Sequence, residues 1–217
     1  MKRSLRFPVM VVALAALAPQ ASARLAMPGS AEHFRLLQPA SWIVENERGD
    51  PQKAGPCGGS NASWGTPSFA VTEVVGGSML PIQVQETIYH PGHYRIALAV
   101  NSMLELPPDP ETVERDGERG PLSVSATIQN PAEPPVLMDG LWEHYERPPE
   151  GQMNTWETEV QIPNINCENC TLQVVQWMAE HGFNNPGGYT YHHCATLEIT
   201  ANPNLPIDTR WPAERAD

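Results

Sequence analysis

Apolar and polar residues alternate with a period of two over much of the chain. In "PIQVQETIYH", Ile82, Val84, Glu86, Ile88 and His90 fall on one face. "HYRIALAV" sets Tyr94, Ile96, Leu98 and Val100 against Arg95, Ala97 and Ala99. "LSVSATIQ" groups Leu122, Val124, Ala126 and Ile128, and "TWETEVQIP" groups Trp156, Thr158, Val160 and Ile162. "TLQVVQWM" and "HCATLEIT" follow the same rule. Such alternation marks half-buried strands. Pro, Gly and Asn turns separate about seven of them, which points to an antiparallel β-sandwich with long loops. Helical spacing is almost absent, and no heptad or internal repeat is found. "PPDPETVERDGERG", from Pro107 to Gly120, is charged and Pro-rich. It reads as an exposed insertion with one helical turn. From Pro203 onward the tail reads as a surface strap that packs Trp211.

The start of the chain changes the setting. Lys2, Arg3 and Arg6 precede the apolar run "FPVMVVALAALAP" and the small residues "QASA". This is the pattern of a secretory signal peptide, residues 1–23, with cleavage after Ala23. A second small-x-small site, Gly29-Ser30-Ala31, lies closer to His33. Residues 24–32 then form an N-terminal extension or are trimmed further. No later stretch approaches the roughly 20 apolar residues of a membrane span. The expected product is secreted or periplasmic, a monomer, and free of the membrane once the signal is removed. The chain carries 13 basic and 25 acidic residues. Loss of the signal removes three of the basic residues and none of the acidic ones. So acidic a product is a poor partner for nucleic acid or anionic lipid, whereas a neutral substrate or a cation is acceptable.

Four cysteines remain, Cys57, Cys167, Cys170 and Cys194. In an oxidising compartment an even count predicts two disulfides, with three pairings open. Cys167-x-x-Cys170 also has redox-motif spacing, but it leads into a strand-like run instead of opening a helix. A zinc site would need those two cysteines plus distant ligands.

Five of the seven histidines stand in three informative places. His33 is near the expected mature start. His90 and His93 flank the Pro-Gly break of "ETIYHPGHYRIAL". His192 and His193 stand at the mouth of the strand in "YTYHHCATLEIT". Strand ends and turns are where a sandwich displays binding residues, and imidazole suits copper and zinc. Taken singly, each of these histidines also reads as an ordinary hydrogen-bonded surface residue. No nucleophile elbow, phosphate loop or kinase pattern is present. "GGSNASWG" is Gly-rich but does not join a strand to a helix.

Taken together, "HFRLLQPASWIVENERGDPQKAGPCGG", "ETIYHPGHYRIAL" and "CENCTLQVVQWMAEHG…YTYHHCATLEIT" resemble secreted lytic polysaccharide monooxygenases. They resemble more closely a group of polysaccharide monooxygenase-like proteins of bacteria and fungi. The likeness runs from about His33 to about Ala201, within a domain of residues 33–202 followed by the tail 203–217. It implies an immunoglobulin- or fibronectin-III-like sandwich and one copper in a histidine brace. It also implies oxidative cleavage of glycosidic bonds in a polysaccharide such as chitin or cellulose. By the same resemblance, His33 is the first ligand and His90 the second, with His93 as the alternative. Tyr191, with the spacing Tyr-x-x-Cys to Cys194, matches the axial tyrosine. His193 and Gln176 become groups that orient oxygen or a ligand, and His181 is a weaker candidate. Cys57 would pair with Cys194, and Cys167 with Cys170.

Two departures matter. The family leaves His as the first residue, whereas Glu32 precedes His33 here. Cleavage after Ala23 or Ala31 removes the amine half of the brace. A cut after Glu32, or aminopeptidase trimming, restores it, and a cut after Ser30 leaves Ala-Glu-His. The second departure is the surplus imidazole, His192 or His193, near the expected site; as a third metal ligand, His193 would partly replace the lost amine and close the site. Rival readings are therefore a non-catalytic copper-binding protein for buffering or delivery, and a metal-free glycan-binding sandwich. The six tryptophans could stack on a glycan, although Trp42, Trp156 and Trp177 alternate like core residues.

Overall fold

A computed structural model describes residues 33–212. The expected signal peptide 1–23, the extension 24–32 and residues 213–217 lie outside the described residues. Among those described there is no α-helix, only a 3-10 turn at Met103–Glu105. Accordingly, no helix is long and apolar enough to cross a membrane.

The strands are β1 (Phe34–Gln38), β2 (Val71–Val75), β3 (Met79–Glu86), β4 (Gly92–Ala99) and β5 (Thr112–Arg115). They continue with β6 (Leu122–Ala126), β7 (Val136–His144), β8 (Thr155–Gln161), β9 (Cys167–Met178) and β10 (Thr190–Thr200). One sheet has the order β1-β3-β8 and the other β2-β10-β9-β4-β7; β5 and β6 form a separate hairpin. The pairings are antiparallel except β2 with β10, which is parallel.

Period-two alternation explains how the two sheets meet. Phe34 and Leu36 of β1, Ile82 and Val84 of β3, and Val160 of β8 face inward. Opposite them are cross-strand rows of the larger sheet. Tyr94, Gln176 and Tyr191 form one row, Ile96, Val174 and His193 the next, and Leu98, Leu172 and Ala195 the third. These inward side chains build the main core. β4 is buried on both faces along its whole length. Its outer face, with His93, Arg95, Ala97 and Ala99, lies beneath connecting segments, so its polar residues are buried as well.

The "LSVSATIQ" face is only partly covered: Leu122 and Ala126 are half-buried. Val124 and Ile128 are 41% and 37% exposed, whereas Ser123 is fully buried. The reason is local: β6 pairs with β5, outside the sandwich, and otherwise only bridges the His181 loop through Leu122, so no second sheet covers its apolar side. The Pro107–Gly120 segment is also more engaged than its composition predicts. Asp109 accepts from Thr190 Oγ at 2.6 Å, Thr112 Oγ from Trp177 Nε1 at 3.0 Å, and Glu114 from the Tyr189 hydroxyl at 2.8 Å. The strap does pack Trp211, which joins the main core. The Asn164 amide donates to the carbonyls of Asn202, Leu205 and Pro206, and so pins the strap down.

Cys57 is bonded to Cys194 and Cys167 to Cys170. The first bond ties the 50s loop to the outer face of β10 and closes a sequence separation of 137; the second closes a separation of 3. Loop-closure entropy then predicts unequal effects. Replacing Cys57 and Cys194 by Ala should lower unfolding free energy by about 5 kcal/mol, and replacing Cys167 and Cys170 by about 2 kcal/mol. Urea unfolding of the two double variants checks this; equal losses would contradict it.

A candidate metal centre at one end of the sandwich

The start of β1, the end of β3, the starts of β4, β8 and β10 and the ends of β7 and β9 converge at one end of the sandwich. Tyr191 lies at the middle of this end, fully buried on the inward face of β10. Three imidazoles surround its ring. The His33 centroid is 5.3 Å away, that of His90 5.9 Å and that of His181 6.5 Å. His90 and His181 also meet edge to face, with centroids 4.9 Å apart.

Backbone bonds hold the elements that carry these rings. The His33 carbonyl accepts from Thr87 N at 3.0 Å, Ile88 N at 3.2 Å and Thr87 Oγ at 2.9 Å. His33 is thereby tied to the turn that presents His90. Ala179 N donates to Pro91 O at 2.7 Å and ties the same turn to the end of β9. The Pro-Gly break between His90 and His93 has a steric cause. Gly92 has φ +148, and a Cβ there would lie 2.0 Å from Trp177 O. No side chain fits, so only Gly lets β4 close onto β9 at this point. The loop carrying His181 is gripped by Ser123, whose Oγ donates to Met178 O and accepts from His181 N. The Ser123 backbone bonds to Glu180 and His181.

Proton positions follow from the partners. His181 Nδ1 faces Gly182 O at 2.6 Å, so Nδ1 carries a proton and the neutral ring keeps its lone pair on Nε2. His33 Nε2 lies 3.4 Å from Asp50 Oδ1.

Under this cluster lies a buried carboxylate. Glu86, 1% exposed, ends β3. Its Oε1 accepts from the Tyr94 hydroxyl at 3.0 Å and from Gln176 Nε2 at 3.0 Å. Its Oε2 accepts from Asn154 Nδ2 at 2.8 Å. His144 Nε2 is 2.9 Å from Oε1, off the line of an aligned hydrogen bond, so this contact acts as an ion pair. His144 Nδ1 donates to Trp142 O at 2.6 Å. Burial alone would lower the His144 pKa, but Glu86 together with nearby backbone carbonyls more than offsets it and the net shift is upward. Burial, reinforced by Glu86, pushes the Tyr94 hydroxyl well above its usual pKa.

The other expected residues go elsewhere. His93 is on the outer face, stacked on Trp177 at 5.1 Å and 4.0 Å from Asp139. His192 is also on the outer face and bonds Asp109 at 2.7 Å. His193 shares the inward face with Tyr191 but lies one row deeper. It donates from Nε2 to Phe34 O at 3.0 Å and packs edge-on to Phe34. Neither His93 nor His193 joins the rings around Tyr191, whereas His33, His90, Tyr191 and the weaker candidate His181 do. Sequence reasoning passed over Glu86, although a carboxylate sharing a face with Ile82 and Val84 is a signal in itself. A groove of about 710 Å³ lies at the opposite end, against the strap, and no histidine lines it.

The donors suit copper by type, since imidazole nitrogen is among its preferred ligands. Among the described residues, no three His, Cys, Asp or Glu side chains are arranged to hold one metal ion. A brace asks for only two imidazoles and an amine. His33 and His90 would be the imidazoles, and the amine of His33 exists once the Glu32–His33 bond is cut. No protein-family model matches the chain, and no curated protein shows significant similarity to it.

His193 makes a pH prediction. Its Nδ1 is 3.1 Å from Glu45 Oε1, with both side chains buried. Burial raises the Glu45 carboxyl to about 7 and lowers His193 to about 3. The folded pair therefore holds one proton from about pH 3 to about pH 7. Unfolded, it holds two below 4.5, one from 4.5 to 6.5 and none above 6.5. Its contribution to stability is flat from 4.5 to 6.5 and falls as pH drops from 4.5 towards 3. In Glu45→Gln the loss should instead begin at pH 6.5, because His193 alone then resists protonation. Thermal melts of the metal-free proteins between pH 3 and 7 check this; parallel profiles for wild type and variant would contradict it.

Proposed function

We propose that the protein is an exported copper-binding protein of the polysaccharide-monooxygenase type, with His33 and His90 as imidazole ligands beside Tyr191. The observation that carries this reading is the meeting of residues 33, 90 and 191 around one ring, although they are far apart in the chain. Two disulfides suit an oxidising compartment, which agrees with export. Copper bound there would supply redox chemistry that inserts oxygen into a glycosidic C–H bond, with R–H and H2O2 giving R–OH and H2O. The chain's own residues do the rest. His33 and His90 hold the ion, Tyr191 fills the space beside it, and the 86–92 turn keeps the two histidines in register. Lactone or ketone ends on chitin or cellulose fragments are the expected product.

A second reading has its own support. Glu32 precedes His33, and His181 adds an imidazole beside His90. If the Glu32–His33 bond stays intact, the centre is a copper holder without oxidative activity.

N-terminal sequencing of the exported protein separates the two. A chain beginning at His33 should release oxidised oligosaccharides when copper-loaded and reduced; one beginning upstream should bind copper without product. In either case His33→Ala and His90→Ala should each weaken copper binding by at least about 100-fold, the upper end of what loss of an outer partner costs. Calorimetric titration with copper measures this. Unchanged affinity in the double variant would remove both readings.

A further inference from the structure

The three hydrogen-bond donors to Glu86 include one residue next to the candidate centre. Gln176 is the direct cross-strand neighbour of Tyr94 on β4 and of Tyr191 on β10. All three side chains project inward, so Gln176 stands between the Glu86–Tyr94 bond and the Tyr191 ring. A carboxylate can only accept hydrogen bonds, so it selects the NH2 end of the Gln176 amide. The amide is planar, so anchoring its NH2 end on Glu86 also fixes where its oxygen points; Tyr191 is the cross-strand neighbour on the other side of Gln176 from Tyr94. That oxygen is fully buried and has no protein partner. Such a group in an apolar interior is costly unless a donor reaches it. His144, 2.9 Å from Glu86, is the cross-strand neighbour of Gly92, two residues after His90.

We infer that Glu86 is a positioning residue for the centre. By holding the Gln176 NH2 group it turns the amide oxygen towards Tyr191, so that the centre takes a hydrogen-bond donor there, such as a water or a substrate hydroxyl. This rests on reading His33, His90 and Tyr191 as the centre. An acceptor at this place favours O–H groups and repels oxyanions. Replacing the carboxylate by an amide lets Gln176 turn over and present NH2 instead.

Side-chain amide exchange in the 15N-labelled, metal-free full chain tests the lock without any metal. The Gln176 NH2 group should exchange at least about tenfold more slowly than exposed glutamines, as buried bonded amides do. Glu86→Gln should abolish that protection and shift the Tyr191 ring resonances. Should Glu86→Gln fail to fold, Glu86→Asp keeps the charge but withdraws the carboxylate by one methylene, and should also lose the protection. Tyr94→Phe removes another donor from the same oxygen and should leave both signals in place. A second arm reads the Cu(II) paramagnetic resonance spectrum, whose hyperfine splitting should change in Glu86→Gln and not in Tyr94→Phe. An unprotected Gln176 amide in wild type overturns the inference. Equal effects of Glu86→Gln and Tyr94→Phe also overturn it, since they show a merely structural role. An intact lock with an unchanged copper spectrum overturns the link to the centre. Failure of wild type to bind copper would remove the proposed function, while the exchange and Tyr191 comparisons still decide the role of Glu86.

Discussion

A carboxylate without solvent constrains this molecule more than any other group. Leaving water costs an ionised group several kcal/mol, and Glu86 persists at 1% exposure because three hydrogen-bond donors and the His144 imidazole surround it. Those groups come from β4, β7, β9 and the entry to β8. Each of these elements must arrive at the same point before the charge is satisfied, so the carboxylate sets the relative position of the two sheets at one end. The same end presents the rings of His33, His90, His181 and Tyr191. Loss of a single partner from such a network costs more than a typical hydrogen bond, because the remaining charge stays buried.

Polar burial continues on the outer face of the larger sheet. The rows His93–Trp177–Thr190 and Arg95–Val175–His192 lie beneath the segment that includes β5 and β6. Asp109 bridges Thr190 and His192, the residues on either side of Tyr191 in the chain. Burial alone would raise the Asp109 carboxyl, but His192, Thr190 and the Arg95 charge together more than offset it and hold it below its usual range. Ser123 performs a comparable task for the His181 loop. What reads as a surface insertion is therefore the support for one side of the candidate centre. The long disulfide from Cys57 holds the other covering segment against β10.

Legibility along the chain followed the regularity of the backbone. β3–β8 and β4–β9 pair without a register shift, and the alternation of β3, β4 and β8 is plain. β7 is invisible to the same rule. Its pairing with β4 shifts register three times, and Gly140 and Trp142 have positive φ, so its side chains do not alternate cleanly. β2 is five residues long, on an edge, with Val71 and Val75 each 53% exposed, and carries little apolar signal. The partly covered face of β6 shows the limit of the rule. Alternation says which residues share a face, but not which face has a partner.

The triplet Tyr191-His192-His193 shows the same division within the site. Sequence alone determined that Tyr191 and His193 share a face, that His192 lies on the other, and that His33 and His90 stand at strand ends where binding residues collect. These follow from the two-residue period, a property of each strand by itself. Only tertiary structure decided that Phe34 would cover His193, that Asp109 would take His192, and that His181 would reach the Tyr191 ring. It also decided that four separate elements would meet at Glu86. Such choices depend on which loop or sheet arrives opposite a given face, and that is set by long-range packing that no local pattern encodes.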